Sequence, residues 1–74
     1  MANMLTIVLN GTERALAELG ESATVADLVM QLGFRPDRVA LERNGDIVPR
    51  ARWAQTQIEQ DDRIELVHFV GGGI

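Results

Sequence analysis

The 74-residue sequence contains no cysteine and no lysine. Without cysteine the chain has no disulfide framework, no thiolate metal site and no cysteine nucleophile, and we expect it to reside in a reducing cytoplasm. Without lysine it has no ε-amino group for Schiff-base chemistry and no glycine–lysine phosphate loop of its own. The two absences exclude several classes of catalytic site.

Positive charge is also scarce, because seven arginines stand against eleven acidic residues and give a net charge of −4. Nucleic acids reward a basic surface, so we expect no nucleic acid partner. The acidity favours protein partners with positive patches, and solubility is an equally good explanation for it. No apolar run approaches the length of a membrane span and the N-terminus lacks the pattern of a signal peptide, so neither anchor nor leader is expected.

The length of the chain predicts one small domain with a thin core. Hydrophobic residues make up 46% of the sequence, which is typical of a globular rather than a disordered protein. A chain this short leaves little room for an enclosed active site. A monomer of modest stability is the default expectation.

Two Asn-Gly pairs, Asn10-Gly11 and Asn44-Gly45, predict two β-hairpins because both residue types tolerate a positive φ angle. Pro49 ends pairing on its own nitrogen, which places the strand before it at a sheet edge. The segments that flank the two turns predict four strands, at residues 4–9, 12–17, 39–43 and 46–48.

One helix is predicted at residues 24–32. Thr24 is a typical N-cap, and Asp27 three residues later completes a variant of the capping box. Gly33 occupies the position of a left-handed C-cap glycine. The apolar residues of the segment recur at helical spacing and form one stripe, namely Val25, Leu28, Val29 and Leu32.

A last strand is predicted at residues 63–70, after a helical turn at 52–56 and a polar turn at 60–62. The alternation of side chains along a strand gives it two faces. The face expected to meet the core carries Ile64, Leu66, His68 and Val70. The opposite face carries Arg63, Glu65, Val67 and Phe69.

The resulting order β-β-α-β-β-β predicts an α+β fold of the β-grasp, or ubiquitin-like, type. We expect a mixed sheet of about five strands with one main helix and with the last strand in the centre. The predicted domain spans residues 1–70, and residues 71–74 form a flexible C-terminal glycine tail.

Three consecutive glycines, Gly71 to Gly73, precede Ile74 at the end of the sequence. Glycine is costly to order and has no side chain to bury, so folding explains this run poorly. A frayed terminus is one interpretation. The other is an arm that reaches into a partner's site, since three residues extend about 10 Å. The tail by itself does not distinguish them.

Two segments of the chain carry a resemblance. One is Asn44-Gly45-Asp46-Ile47-Val48-Pro49-Arg50, and the other is Val67-His68-Phe69-Val70-Gly71-Gly72-Gly73. Together they resemble the ThiS family of sulfur carriers in thiamine thiazole synthesis. The combination is more specific than a Gly-Gly ending, which MoaD and ubiquitin-like modifiers share. The first half of the chain is similar in its Leu9-Asn10-Gly11 hairpin and in the start of its helix at residues 23–28.

The resemblance implies a carrier rather than an enzyme, with no metal and no cofactor bound by the chain itself. In that family a ThiF-type partner uses ATP to adenylate the terminal glycine carboxylate. Sulfur from a donor such as a cysteine desulfurase then replaces AMP to give a thiocarboxylate, and thiazole synthase, ThiG, receives the sulfur. Carried over to this chain, Gly73 is the acyl site and Gly72 lies next to it.

Ile74 departs from the family pattern, in which chains ready for activation end in glycine. Removal by a protease, which exposes Gly73, is the favoured explanation. The alternatives are an addition introduced in cloning and a chain that is not a working carrier.

Several rival functions remain open at this stage. The same carrier chemistry also serves molybdopterin synthase, tRNA thiolation and cysteine synthesis. Two rivals of other classes are an interaction module with an inert tail and a protein modifier that is conjugated to lysines of its targets.

The strand next to the tail contains the candidate partner-binding residues. Val67 and Phe69 form an apolar pair, and together with Val70 and Gly71 they are expected to dock partners if they are exposed. The alternative for this pair is ordinary packing against the helix or a loop.

The remaining candidates are given structural roles. His68, the only histidine, lacks a companion ligand and is placed at the edge of the core. Trp53 is expected to fill the core. Arg50 and Arg52 are assigned to the surface, and the acidic residues at 59–62 form a turn, because they lack the glycine and the glutamate of a calcium loop.

Overall fold

In a computed structural model, which describes residues 5–17, 19–20 and 22–69, a five-stranded mixed sheet packs against one helix. The strands are β1 (Leu5–Leu9), β2 (Thr12–Leu16), β3 (Val39–Arg43), β4 (Asp46–Ile47) and β5 (Arg63–His68), and the helix is α1 (Val25–Gln31). Two 3-10 helices, Pro36–Arg38 and Arg50–Gln55, lie in the connections. The predicted α+β class and order of elements are confirmed.

The sheet has the strand order β2-β1-β5-β3-β4, with the last strand in the centre as predicted. Strand β5 runs parallel to β1, where Leu9 lies opposite Ile64. It runs antiparallel to β3, where the register extends from Val39 opposite His68 to Arg43 opposite Ile64. The end of β5 that leads towards the C-terminus is therefore paired with β3 alone.

Both Asn-Gly pairs form the predicted two-residue turns. The φ angles are 50° at Asn10 and 83° at Gly11, and they are 54° at Asn44 and 90° at Gly45. Positive angles at both central residues define the turn type whose twist matches that of paired strands.

Three strand ends differ from the prediction. The second strand ends at Leu16 rather than at residue 17, and β4 ends at Ile47 rather than at residue 48. The last strand ends at His68, and Val70 lies outside the described residues, as does residue 4 at the start of the predicted first strand. The predicted helical turn at residues 52–56 is the 3-10 helix Arg50–Gln55.

Helix α1 has the predicted signals at both ends. The Asp27 N–H donates to Thr24 Oγ1 at 3.2 Å, and the Thr24 N–H donates to the Asp27 carboxylate at 2.9 Å, which completes the capping box. At the C-terminus Gly33 adopts a φ of 83°, and the N–H groups of Gly33 and Phe34 donate back to Met30 and Val29. This is the Schellman pattern, and it satisfies carbonyls that the helix leaves free.

The core lies between α1 and one face of the sheet. Trp53 is buried as predicted, and its indole N–H donates to the Val48 carbonyl at 2.8 Å. The aliphatic residues that are most completely buried come from every layer of the fold, namely Ile7, Val25, Leu28, Val29, Leu41, Ile58 and Ile64. The other face of the sheet has no layer above it among the described residues, and we call it the open face. No helix within 5–17, 19–20 or 22–69 is both long and apolar enough to cross a lipid bilayer.

Candidate functional site

Side chains near the end of β5 alternate between the buried core and the exposed open face. Ile64 and Leu66 point into the core, whereas Val67 and Phe69 keep 57% and 51% of their surface exposed on the open face. The pair is therefore accessible to a partner, and the part of each residue that is covered leaves room for some packing as well. Their role as docking residues stays a prediction, and the exposure is what that role requires.

The register of the sheet places further apolar side chains on the same face as this pair. Ala40 lies opposite Val67 in the β3–β5 ladder. Ile47, which is 71% exposed, lies opposite Glu42 on the same face. We call Ala40, Ile47, Val67 and Phe69 the open-face patch. Ala40 and Ile47 were not predicted as site residues, although the two-residue turn at Asn44-Gly45 fixes the hairpin register and thus the face of each residue.

Two glutamates border the open-face patch. Glu42 and Glu65 lie directly opposite each other in the β3–β5 ladder, and both are exposed. Like charges in that arrangement repel. A partner that covers this face would gain by placing a basic group between them.

Two contacts with earlier parts of the chain hold the last described residues, His68 and Phe69. The Phe69 N–H donates to the Arg38 carbonyl at 2.8 Å. The ring of His68 lies 5.0 Å from that of Phe34 at an interplanar angle of 45°. The contact with Phe34 confirms that His68 lies at the edge of the core, although its side chain is exposed rather than buried. We call Val67–Phe69 the tail root.

Each of the two turn asparagines also bonds to β5. Asn10 accepts a hydrogen bond from the Leu66 N–H at 2.7 Å, and its amide nitrogen donates to the Leu66 carbonyl at 3.2 Å. Asn44 accepts from the Arg63 N–H at 2.9 Å at the other end of the strand. These contacts were not predicted, because the Asn-Gly pairs were interpreted only as turns.

The acidic segment at residues 59–62 forms a turn, as predicted, and it contains one buried carboxylate. Asp62 is only 6% exposed and accepts hydrogen bonds from Arg43 Nε at 2.6 Å, from the Asn44 side chain at 3.0 Å and from the Glu59 N–H at 2.8 Å. Burial by itself raises the pKa of Asp62, but these donors, with Arg43 first among them, hold the pKa below its ordinary value. The residue fixes the start of β5.

The surface assignment of the two arginines is confirmed. Arg50 is exposed and donates to the Pro36 carbonyl at 3.4 Å, and Arg52 is also exposed. No cluster of histidine, aspartate or glutamate suited to a metal ion occurs in the described ranges. The proposed acyl site and its neighbours, Val70, Gly71, Gly72, Gly73 and Ile74, lie outside the described residues.

A single helix on a five-stranded mixed sheet, whose central last strand leads to a glycine-rich end, defines a ubiquitin-like protein of the β-grasp class. The chain belongs to the ThiS family, whose sequence model matches residues 7–73. This confirms the resemblance that the sequence motifs indicated.

The chain resembles known proteins of two kinds, a sulfur carrier of similar length and a much longer thiazole synthase. The sulfur carrier protein ThiS of Bacillus subtilis is 36% identical over 53 residues, which cover 72% of this chain and 80% of that protein. The thiazole synthase of Magnetococcus marinus is 46% identical over 69 residues, which cover 93% of this chain. The chain spans only 20% of the length of that synthase.

A solved structure has the same fold over nearly the whole chain. The crystal structure of the thiamine biosynthesis protein ThiS from Geobacter metallireducens superimposes with a TM-score of 0.78 at 27% identity. The match covers 93% of this chain and all of that one. Relatives of similar length to this chain are sulfur carriers rather than catalysts, which confirms the expectation of a carrier at the level of the family.

Proposed function

We propose that this chain carries sulfur as a thiocarboxylate on Gly73 and delivers it to thiazole synthase in thiamine biosynthesis. A ThiF-type enzyme adenylates the glycine carboxylate with ATP, and a cysteine desulfurase supplies the sulfur that displaces AMP. The chain itself binds no metal and no cofactor in this scheme. Ile74 is removed before activation.

The chemistry explains why a carrier needs a partner. A free carboxylate is a poor electrophile, and adenylation gives its carbonyl carbon a good leaving group. The chain has no lysine, and hence no phosphate loop with which to hold ATP. The partner therefore supplies the nucleotide site, while the carrier supplies the carboxylate and a surface that binds the partner.

The observation that carries the proposal is the exposure of Val67 and Phe69 immediately before the glycines. An apolar pair at the end of the central strand offers docking energy at the base of the reactive arm. Three glycines then extend about 10 Å, which lets the carboxylate enter a narrow site while the folded body remains outside.

Charge around the open-face patch supports a basic docking site on the partner. Glu42 and Glu65 lie side by side at the border of the patch, and the whole chain has a net charge of −4. Opposite charge on the partner would steer encounter and would relieve the repulsion between the two glutamates.

Thiazole synthase is favoured as the recipient because a segment similar to this chain forms part of two thiazole synthases, those of Magnetococcus marinus and Paramagnetospirillum magneticum. Joining a donor domain to its acceptor raises their effective concentration, so such a fusion suits two partners that must meet. This favours thiazole synthesis over molybdopterin, tRNA or cysteine pathways.

The test is intact-mass measurement after reaction with a purified ThiF-type enzyme, ATP and a cysteine desulfurase with cysteine. The chain that ends at Gly73 should gain the mass of one sulfur in place of one oxygen. The chain that retains Ile74 and a control that ends at Gly72 should react much more slowly.

Three outcomes would contradict the proposal. Failure of the chain ending at Gly73 to form a thiocarboxylate removes the carrier function. Branched peptides with target lysines, found in cells, would identify a modifier. Unchanged Ile74 in the cellular protein would identify an inert module.

A further inference from the structure

Strand β5 is supported unequally on its two sides. On one side it pairs with β3 as far as His68. On the other side its register with β1 ends where Leu9 lies opposite Ile64, because the chain then turns away at Asn10. Beyond Ile64, the main-chain groups of β5 that face β1 have no strand to pair with.

Asn10 takes the place of the missing strand. Its main-chain N–H donates to the Ile64 carbonyl at 2.8 Å, and its side-chain amide then bonds to both the N–H and the carbonyl of Leu66. One residue therefore pairs three successive groups on the same edge of β5. A primary amide can do this because it contains a donor and an acceptor with the spacing of a peptide group.

We propose that Asn10 is a positioning residue for the reactive arm, through its amide contact with Leu66. With the amide in place, two-sided support of β5 extends to Leu66, immediately before the tail root. Without it, two-sided support ends at Ile64, and the chain from Glu65 to Phe69 depends on β3 alone. The proposal rests on the carrier function proposed above.

The positioning role follows from the distance between the clamp and the acyl site. Leu66 lies seven residues before Gly73, so greater mobility at the clamp widens the volume that the carboxylate samples at the end of the arm. A tail root that samples more directions lowers the effective concentration of the carboxylate in the partner's site. This reduces the rate of reaction within the complex. Binding of the body is affected less, because the open-face patch is also held by β3.

Asn44 provides a matched control within the same chain. It is the first residue of the other Asn-Gly turn, it has a φ of 54°, and its amide also bonds to β5. Its side-chain oxygen accepts from the Arg63 N–H at the start of the strand, far from the tail, and its side-chain nitrogen donates to Asp62 at 3.0 Å. Glycine tolerates the positive φ at either position, so Asn10→Gly and Asn44→Gly both delete an amide clamp and leave the turn unstrained.

The experiment compares these variants in two measurements. Amide hydrogen exchange of the full chain reports the support of β5 directly, and Asn10→Gly should accelerate exchange at Leu66 by about tenfold or more, whereas Asn44→Gly should not. In steady-state adenylation by a ThiF-type enzyme, with chains ending at Gly73, Asn10→Gly should lower kcat about fivefold to tenfold with little change in KM. Asn44→Gly should leave kcat within about twofold of the parent.

A conservative variant separates positioning from general stability. Asn10→Asp keeps an acceptor for the Leu66 N–H and tolerates the positive φ, but it cannot donate to the Leu66 carbonyl. Its kcat should fall between those of the parent and Asn10→Gly, which would support the proposal.

Two results would overturn the positioning role. One is an equal loss of kcat in Asn10→Gly and Asn44→Gly, which would indicate a role in stability alone. The other is unchanged exchange at Leu66 in Asn10→Gly. If the parent chain is not adenylated at all, the carrier function fails and the positioning role fails with it, while faster exchange confined to residues 66–69 would still establish the clamp.

Discussion

Glu42 and Glu65 lie directly opposite each other on neighbouring strands, with both side chains exposed. Like charges that face each other across a sheet destabilise it. The chain has eleven acidic residues, and its fold does not require two of them at facing positions. Their position beside the open-face patch fits the proposed docking of a basic group on the partner.

Glu42→Gln should therefore have opposite effects on stability and on binding. Removing the repulsion should stabilise the fold by about 0.2–0.5 kcal/mol at low salt, with a smaller gain at high salt. The same change should lower kcat/KM for adenylation several-fold, mainly through KM. Denaturant unfolding and steady-state kinetics test the two effects. Glu13→Gln is the control, since Glu13 lies on the same face opposite Val8 and should change neither quantity appreciably.

Phe69→Ala should impair activation more than it impairs folding. The ring is half exposed, so its removal should lower the free energy of unfolding by about 1 kcal/mol or less, while adenylation should lose the proposed docking contact. The matched variant Ile64→Val alters a fully buried residue of the same strand and should cost about 0.5–1.5 kcal/mol with kinetics unchanged. A large fall in melting temperature for Phe69→Ala with normal kinetics would assign the ring to packing instead.

Asp62→Asn should destabilise the protein at neutral pH by about 1–3 kcal/mol, because Arg43 loses its buried counter-charge. The control is Asp61→Asn, at an exposed position with a φ of 68° that asparagine also accepts. That variant should match the parent within about 0.5 kcal/mol in urea unfolding.

Acid should remove the contribution of Asp62 in a defined direction. The folded pKa lies below the ordinary value of 3.8, so the unfolded chain binds the proton more tightly. The stabilisation is therefore complete above pH 3.8 and is lost as the pH falls through the lower, folded pKa. Unfolding measured at stepwise lower pH should show the gap between parent and Asp62→Asn closing in that window, and a gap that stays constant would contradict the assignment.

Gly45→Ala should destabilise the β3–β4 hairpin by about 1–2 kcal/mol, because the φ of 90° is unfavourable for any residue with a Cβ atom. Space is not the reason, since a Cβ atom at this position meets nothing within 4 Å. Gly20→Ala, where φ is outside the left-handed range and the surroundings are equally open, is the control and should be close to neutral. Thermal melting distinguishes the two variants.

The parts of the fold that were predictable from the sequence have local causes. Asn10-Gly11 and Asn44-Gly45 determine their turns through their own backbone preferences, and Thr24 with Asp27 determines the start of α1 across three residues. The alternation of Ile64 and Leu66 with Val67 likewise predicted which side of β5 is buried. The central position of β5 came from the β-grasp plan rather than from any single residue.

The contacts that the sequence did not reveal join distant parts of the chain. Arg43 and Asp62 are 19 positions apart, and Asn10 and Leu66 are 56 positions apart. Nothing in either local sequence distinguishes an asparagine that only turns the chain from one that also binds a distant strand. Of the open-face patch, only Val67 and Phe69 were predicted. Ile47 shares a face with Val67 because β3 pairs with β4 on one side and with β5 on the other, and these pairings join distant parts of the chain.

The placement of β5 in the middle of the sheet has a consequence for biosynthesis. Strands β1 and β3 have no contact in the sheet until residues 63–68 insert between them, so folding cannot finish until that segment has left the ribosome. A chain that stops early lacks Ile64 and Leu66, which share one core cluster with Ile7 and Leu41, and an incomplete apolar core of this kind favours aggregation and degradation. Because the glycines follow β5 in the sequence, any chain that contains them also contains the strand that completes the sheet.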